Sequence, residues 1–167
     1  ENVFLALGNE WEYAEPSASE GKESVLKIQI STGEKSRVAT EKAKKICAVS
    51  ENQMAVLHME CINEDEVIDN VGMSAVQAKY WITLYDTEEG KKQWSSVPYT
   101  VSGYTIPETL LLRDMEINGE LKKVLVVSVK DRIQLIDAEN GTVIREGIFR
   151  EDIVNVVQAD KRRLLVG

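Results

Sequence analysis

The chain has 167 residues, 43% of them hydrophobic and only three of them proline, which is enough apolar material for one domain with a real core and excludes global disorder. Acids outnumber bases 28 to 20, and the resulting charge of −8 repels a phosphate backbone, which argues against nucleic acid as a partner. No apolar run approaches the roughly 20 residues that span a bilayer, so membrane insertion is not expected, and the opening ENVFLALG lacks the basic flank of a signal peptide. A start at Glu1 reads as an excised or processed piece.

Apolar residues recur at period two or in short blocks and almost never at helical spacing. In chain order the predicted strands are VFLAL, SVLKIQI, KICAV, MAVLHM, YWITLY, TLLL, KVLVVSV, RIQLI, IVNVV and RLLV. Turn-forming clusters separate them (STGE, SENQ, DTEEG, NGE, AENG), so most neighbours should pair as antiparallel hairpins and the fold class is all-β. In KVLVVSV both alternating faces are apolar, Leu125 and Val127 opposite Val124 and Val126, which predicts strands covered on both sides as in stacked sheets.

One stretch recurs. ITLYDTEEGKKQW, from Ile82, aligns without gaps on IQLIDAENGTVIR, from Ile133, matching Asp86 with Asp137 and Gly90 with Gly141. LKIQISTGEKSR, from Leu26, reads as a weaker copy with a turn one residue shorter, Ile30 at the aspartate position and Gly33 closing the turn. The three glycines lie 57 and 51 residues apart, and a period near fifty made of short strands suggests the blades of a β-propeller. The local chemistry explains the repeat. An aspartate at the head of a turn accepts hydrogen bonds from backbone N–H groups two or so residues on, and the glycine takes the positive φ that reverses the strand. Asp86, Asp137 and the glycines are therefore structural. By this count the chain is a single partial propeller region, residues 1–167, of about three four-stranded antiparallel units.

LYDTEEGKKQW resembles the repeat of quinoprotein-like (PQQ-like, WD40-like) β-propellers, in which an aspartate is followed by a glycine and then, four positions later, by a tryptophan. Trp94 follows Gly90 by four, whereas Arg145 and Arg37 stand at the matching places after Gly141 and Gly33. The resemblance implies that Trp94 docks between adjacent blades. It also implies that a quinone-dependent dehydrogenase of this superfamily would need a closed eight-bladed ring, calcium ligands and an active-site acid, a set not found in this sequence.

The remaining candidates for a site are few. Glu64, Asp65, Glu66 and Asp69 crowd an insertion that fails the EF-hand pattern, since counting from Asn63 puts Ile68 and Ser74 where glycine and an acid are required. Long loops on a rigid scaffold are where partners dock, so this insertion is the first candidate for a binding element, followed by Tyr99 and Tyr104. His58 with Cys61 is half a zinc site at most, and it reads as a strand histidine facing a polar neighbour. Cys47 and Cys61 read as buried or semi-buried free thiols. Lys161, Arg162 and Arg163 read as a solvated turn, and neither a Gly-x-Ser-x-Gly elbow nor a phosphate-binding glycine loop is present. The expectation is a non-catalytic propeller scaffold without cofactor or metal, partnered by another protein or by further blades. The alternative is a ligand-binding or quinoprotein-type oxidoreductase propeller with its site on the central funnel.

Overall fold

The computed structural model describes residues 2–7, 24–39, 42–63, 76–103 and 106–167, and every regular element among them is a strand. The described residues form four antiparallel sheets, none closed on itself. The first is β1 (Asn2–Leu7), β2 (Ser24–Gln29) and β3 (Lys35–Ala39). The second is β4 (Ala43–Ser50), β5 (Gln53–Asn63), β6 (Val76–Asp86) and β7 (Lys91–Ser95), with β8 (Tyr99–Gly103) also on β6. The third is β9 (Glu108–Ile117), β10 (Glu120–Val129), β11 (Arg132–Asp137) and β12 (Val143–Ile148); the fourth is the hairpin of β13 (Val156–Asp160) and β14 (Arg163–Val166).

The hairpins follow from turn chemistry. Asn118 and Gly119 both take positive φ (54° and 86°) between β9 and β10, as a two-residue turn matched to strand twist requires. The ADKRR segment reverses β13 into β14, with Arg163 paired to Asp160 and Arg162 reaching back to Glu116 on β9. β8 was not foreseen in the sequence. β6 is eleven residues long, β7 covers only its C-terminal half from Thr83 to Asp86, and Pro98, which has no N–H to give a ladder, interrupts the outer strand. The chain then resumes as β8 along the N-terminal half, Val76 to Tyr80.

The sheets are stacked in chain order, and each gap holds a core. Val25 and Val38 of the first sheet meet Met54, Val56 and Tyr85 of the second. Ala55, Leu57, Ile82 and Leu84 face the other way, onto Leu110, Leu125, Val127 and Ile136 of the third. The opposite face of the third sheet, including Met115, Val124 and Val126, packs on Val156 of the fourth. Val124 to Val127 are at most 1% exposed, so both faces of β10 are covered, as the doubly apolar run predicts. Of the expected units, two are complete among the described residues, and the outer sheets carry three strands and two.

The repeated hairpins share more of their backbone conformation and bonding than their sequences suggest. Gly33, Gly90 and Gly141 all have positive φ (71°, 67° and 76°), and each lies four residues after the last residue of its strand, Gln29, Asp86 or Asp137. In the first and third copies the bonds are identical: Gly33 N–H donates to Gln29 O and Gly141 N–H to Asp137 O, while Gln29 N–H and Asp137 N–H donate to Glu34 O and Thr142 O. This corrects the alignment of the first copy. Its turn is the same length as the others, Gln29 holds the aspartate place, and Ile30 is the first turn residue. A β-bulge recurs between Leu84 and Tyr85 and between Leu135 and Ile136, which brings Trp94 opposite Leu84 and Arg145 opposite Leu135. The first copy has no such bulge.

Candidate functional site

One candidate built from several elements lies at the mouth of the gap between the second and third sheets. Asp137 caps its turn as expected, with Oδ1 accepting from Glu139 N–H at 3.0 Å, and it is 6% exposed. Burial of a carboxylate needs a compensating charge, and Lys122 Nζ supplies it at 3.2 Å from Oδ2. Lys123, the next residue on β10, donates to Val49 O across the gap at 3.3 Å. These groups, with Gln53 and Ala138, line an open cleft of about 510 Å³. Adjacent lysines followed by a fully apolar strand were visible in KKVLVVSV, but nothing in the sequence placed Val49 opposite them.

Trp94 closes the outer side of the same gap. It leaves β7 of the second sheet, and its indole Nε1–H donates to Ala138 O, 3.2 Å away on the β11–β12 turn of the third. The ring covers Gly141 so closely that an added Cβ there would stand 2.7 Å from two of its carbons. Glycine is thus required twice at 141, by φ and by the approach of the ring. Gly33 and Gly90 have nothing within 4 Å of such a Cβ.

At the equivalent turn of the second sheet, Asp86 Oδ1 accepts from Glu88 N–H and Glu89 N–H, both at 2.9 Å. Those two bonds, the Glu89 one first, hold its carboxyl below the ordinary range. The stability that Asp86 contributes is therefore complete above the ordinary carboxylate range and is lost as pH falls through its lowered folded value. Asp86→Asn, which keeps an acceptor oxygen but cannot titrate, is expected to flatten the fall of melting temperature between about pH 5 and pH 2, read by thermal unfolding across that series. An unchanged pH profile would show that the turn bonds do not depend on the charge. The first copy is bonded differently: Thr32 Oγ1 donates to Gln29 Oε1 at 3.0 Å and accepts from Glu34 N–H at 3.2 Å, as Asn140 Oδ1 accepts from Thr142 N–H at 2.9 Å in the third copy.

Tyr99 is not a free surface aromatic. Its ring stacks on Tyr80, centroids 6.4 Å apart, and the Arg132 guanidinium sits 5.0 Å over it, so it belongs to the packing between the second and third sheets. Burial pushes its hydroxyl well above the usual range. Tyr80 is pushed the same way by burial first and then by its 2.7 Å bond to Glu108. Tyr104, Glu64, Asp65, Glu66 and Asp69 lie outside the described residues.

His58 differs from expectation, because it is buried and stacks flat on Trp81, its cross-strand partner, at 4.9 Å. β5 points His58 to the same side as Met54 and Val56, and that face is a core, not a polar surface. Cys47 is half-buried, and desolvation raises its thiol, whereas Cys61 is exposed, which corrects the expectation of a buried or semi-buried thiol there. Among the described residues no three His, Cys, Asp or Glu side chains gather where a metal ion could be held. No family model matches the chain, and no curated protein and no solved structure matches it significantly.

Proposed function

We propose that these sheets are blades of a β-propeller and that the chain works as a non-catalytic scaffold for protein–protein interaction. One observation carries the blade reading: the indole of one sheet seats on the Asp–Gly turn of the next, through Trp94 with Ala138 and Gly141. Three further features support it. The sheets stack serially, the same bulge recurs beside the turn, and β4 lies along β9 at the edge where inner strands of neighbouring blades would meet. The scaffold reading rests on the polar groups described, since Lys122, Lys123 and Asp137 are each engaged in bonds that hold sheets or turns together.

The partner element proposed first is the acidic stretch Glu64, Asp65, Glu66 and Asp69, whose charge suits a basic protein surface. The experiment compares quantitative affinity capture by the chain and by its Glu64→Gln, Asp65→Asn, Glu66→Gln, Asp69→Asn variant. A partner retained by the first and lost at least about tenfold by the second is expected. Equal capture removes the stretch as the site. In a parallel arm, pyrroloquinoline quinone with calcium is added to the purified chain; a rise in melting temperature that grows with ligand concentration would replace the scaffold reading by the quinoprotein one.

A further inference from the structure

The first two internal gaps are built by one rule. Each sheet turns one kind of face to the sheet before it and another to the sheet after it. The residue that precedes the capping position is Tyr85 in the second sheet and Ile136 in the third, and each is at most 1% exposed against the sheet before. The first residue of the turn, Thr87 or Ala138, is buried on that same side, with Thr87 Oγ1 bonded to Lys27 of the first sheet. In the first sheet those two places are Ile28 and Ile30. β2 turns Val25 toward the second sheet, and Ile28 points the opposite way. Ile30 is 54% exposed, an apolar side chain where the other copies bury theirs.

The fourth sheet shows the complementary gap. Leu164 and Val166 pack back onto the third sheet, so Leu165 and its cross-strand partner Val157 face the other way. Leu165 is the third residue after its tight turn, as Lys122 is on β10, and the side of β10 that carries Lys122, Val124 and Val126 is the one the next sheet covers. Leu165 and Val157 are 62% and 50% exposed. Among the described residues, one end of the stack therefore displays a face of the kind that receives a preceding sheet, and the other end a face of the kind that receives a following one.

We propose that the occupant of each is a second copy of this chain, bound head to tail with the Ile28–Ile30 face of one copy on the Val157–Leu165 face of the other. The contact continues the packing already present twice inside the chain, so it needs no new chemistry. A heterologous contact of this kind closes into a ring or extends as a filament. Two copies bring twice four sheets, which falls within the range of about four to eight blades in known rings. The inference rests on the recurrence of the packing and stands apart from the scaffold reading.

The test uses the purified 167-residue chain in sedimentation equilibrium across a concentration series. The wild type is expected above the monomer mass of 18.7 kDa. Leu165→Glu and Ile30→Glu, both at exposed positions and checked for folding by circular dichroism, are each expected to raise the dissociation constant about a hundredfold or more, because the interface would bury an unpaired carboxylate. Each variant keeps one intact face, so mixing the two should restore a 1:1 pair that neither forms alone. A wild type that stays monomeric, association that survives either substitution, or variants that do not pair on mixing would each overturn the proposal. A monomeric wild type would leave the acidic-stretch capture experiment unaffected.

Discussion

Gly141→Ala is expected to lower the melting temperature by about 6–12 °C, three times the loss from the same change at Gly90. Both positions hold positive φ, and a β-carbon there costs about 1 kcal/mol. Gly90 has open space around it, so nothing more is added. At Gly141 the new carbon lands 2.7 Å from two ring carbons of Trp94, and a filled gap of that kind costs about 1–3 kcal/mol because the ring or the turn must move. A total of about 3 kcal/mol gives the stated shift for a chain of this length. The Trp94→Ala background provides the control. With the ring gone, adding Gly141→Ala should cost only the backbone term, about 1 kcal/mol, and the coupling between the two sites is the worth of their contact. If Gly141→Ala proved no more damaging than Gly90→Ala, the indole would not be seated on that turn, and the main support for the blade reading would go with it.

Sheet content was legible in the sequence wherever alternation was strict and turns carried Asp, Asn or Gly. KVLVVSV was read as covered on both faces because all its neighbours in the run are apolar, and the structure buries Val124 to Val127 on two sides. What the sequence hid was substitution of one turn chemistry by another. Thr32 takes Glu34 N–H as Asn140 takes Thr142 N–H in the third copy, and Gln29 stands where the aspartate would, so matching on residue identity shifts the first copy by one position and shortens its turn. β8 was hidden by composition, since TVSG has little apolar signal and Pro98 reads as a stop; its strand exists because β6 is long enough to offer a second row of partners. The sequence shows that His58 lies on a strand but not that Trp81 is its cross-strand partner, on which it stacks. Tyr99 stands opposite Tyr80 because β8 pairs with β6, and which residues two strands bring together is set by their register. The cleft at Lys122, Lys123 and Asp137 joins residues that come together only once the second and third sheets are stacked.

Met54 and Leu57 sit three residues apart on β5, both fully buried, and their truncation to alanine should nevertheless damage different parts of the molecule. Met54 faces the small core shared with the first sheet, and Leu57 faces the larger core shared with the third. Loss of either side chain costs about 2–5 kcal/mol by chemistry alone. In a serial stack, however, each sheet touches only its neighbours, so stability behaves as a sum of local terms and an end sheet can open without the rest. Met54→Ala is expected to speed amide exchange about a hundredfold in β2 and β3, leaving β9 to β12 near wild type. Leu57→Ala should speed exchange in β5, β6, β10 and β11 together and lower the global melting temperature, because the gap it weakens has full sheets on both sides. Hydrogen exchange read by mass spectrometry resolves these segments. Equal acceleration of β2–β3 and β10–β11 in the Met54→Ala chain would mean that the sheets unfold as one cooperative body. In that case the end faces would be parts of a single core and not separable layers, and the rule by which one sheet receives the next would have no energetic meaning.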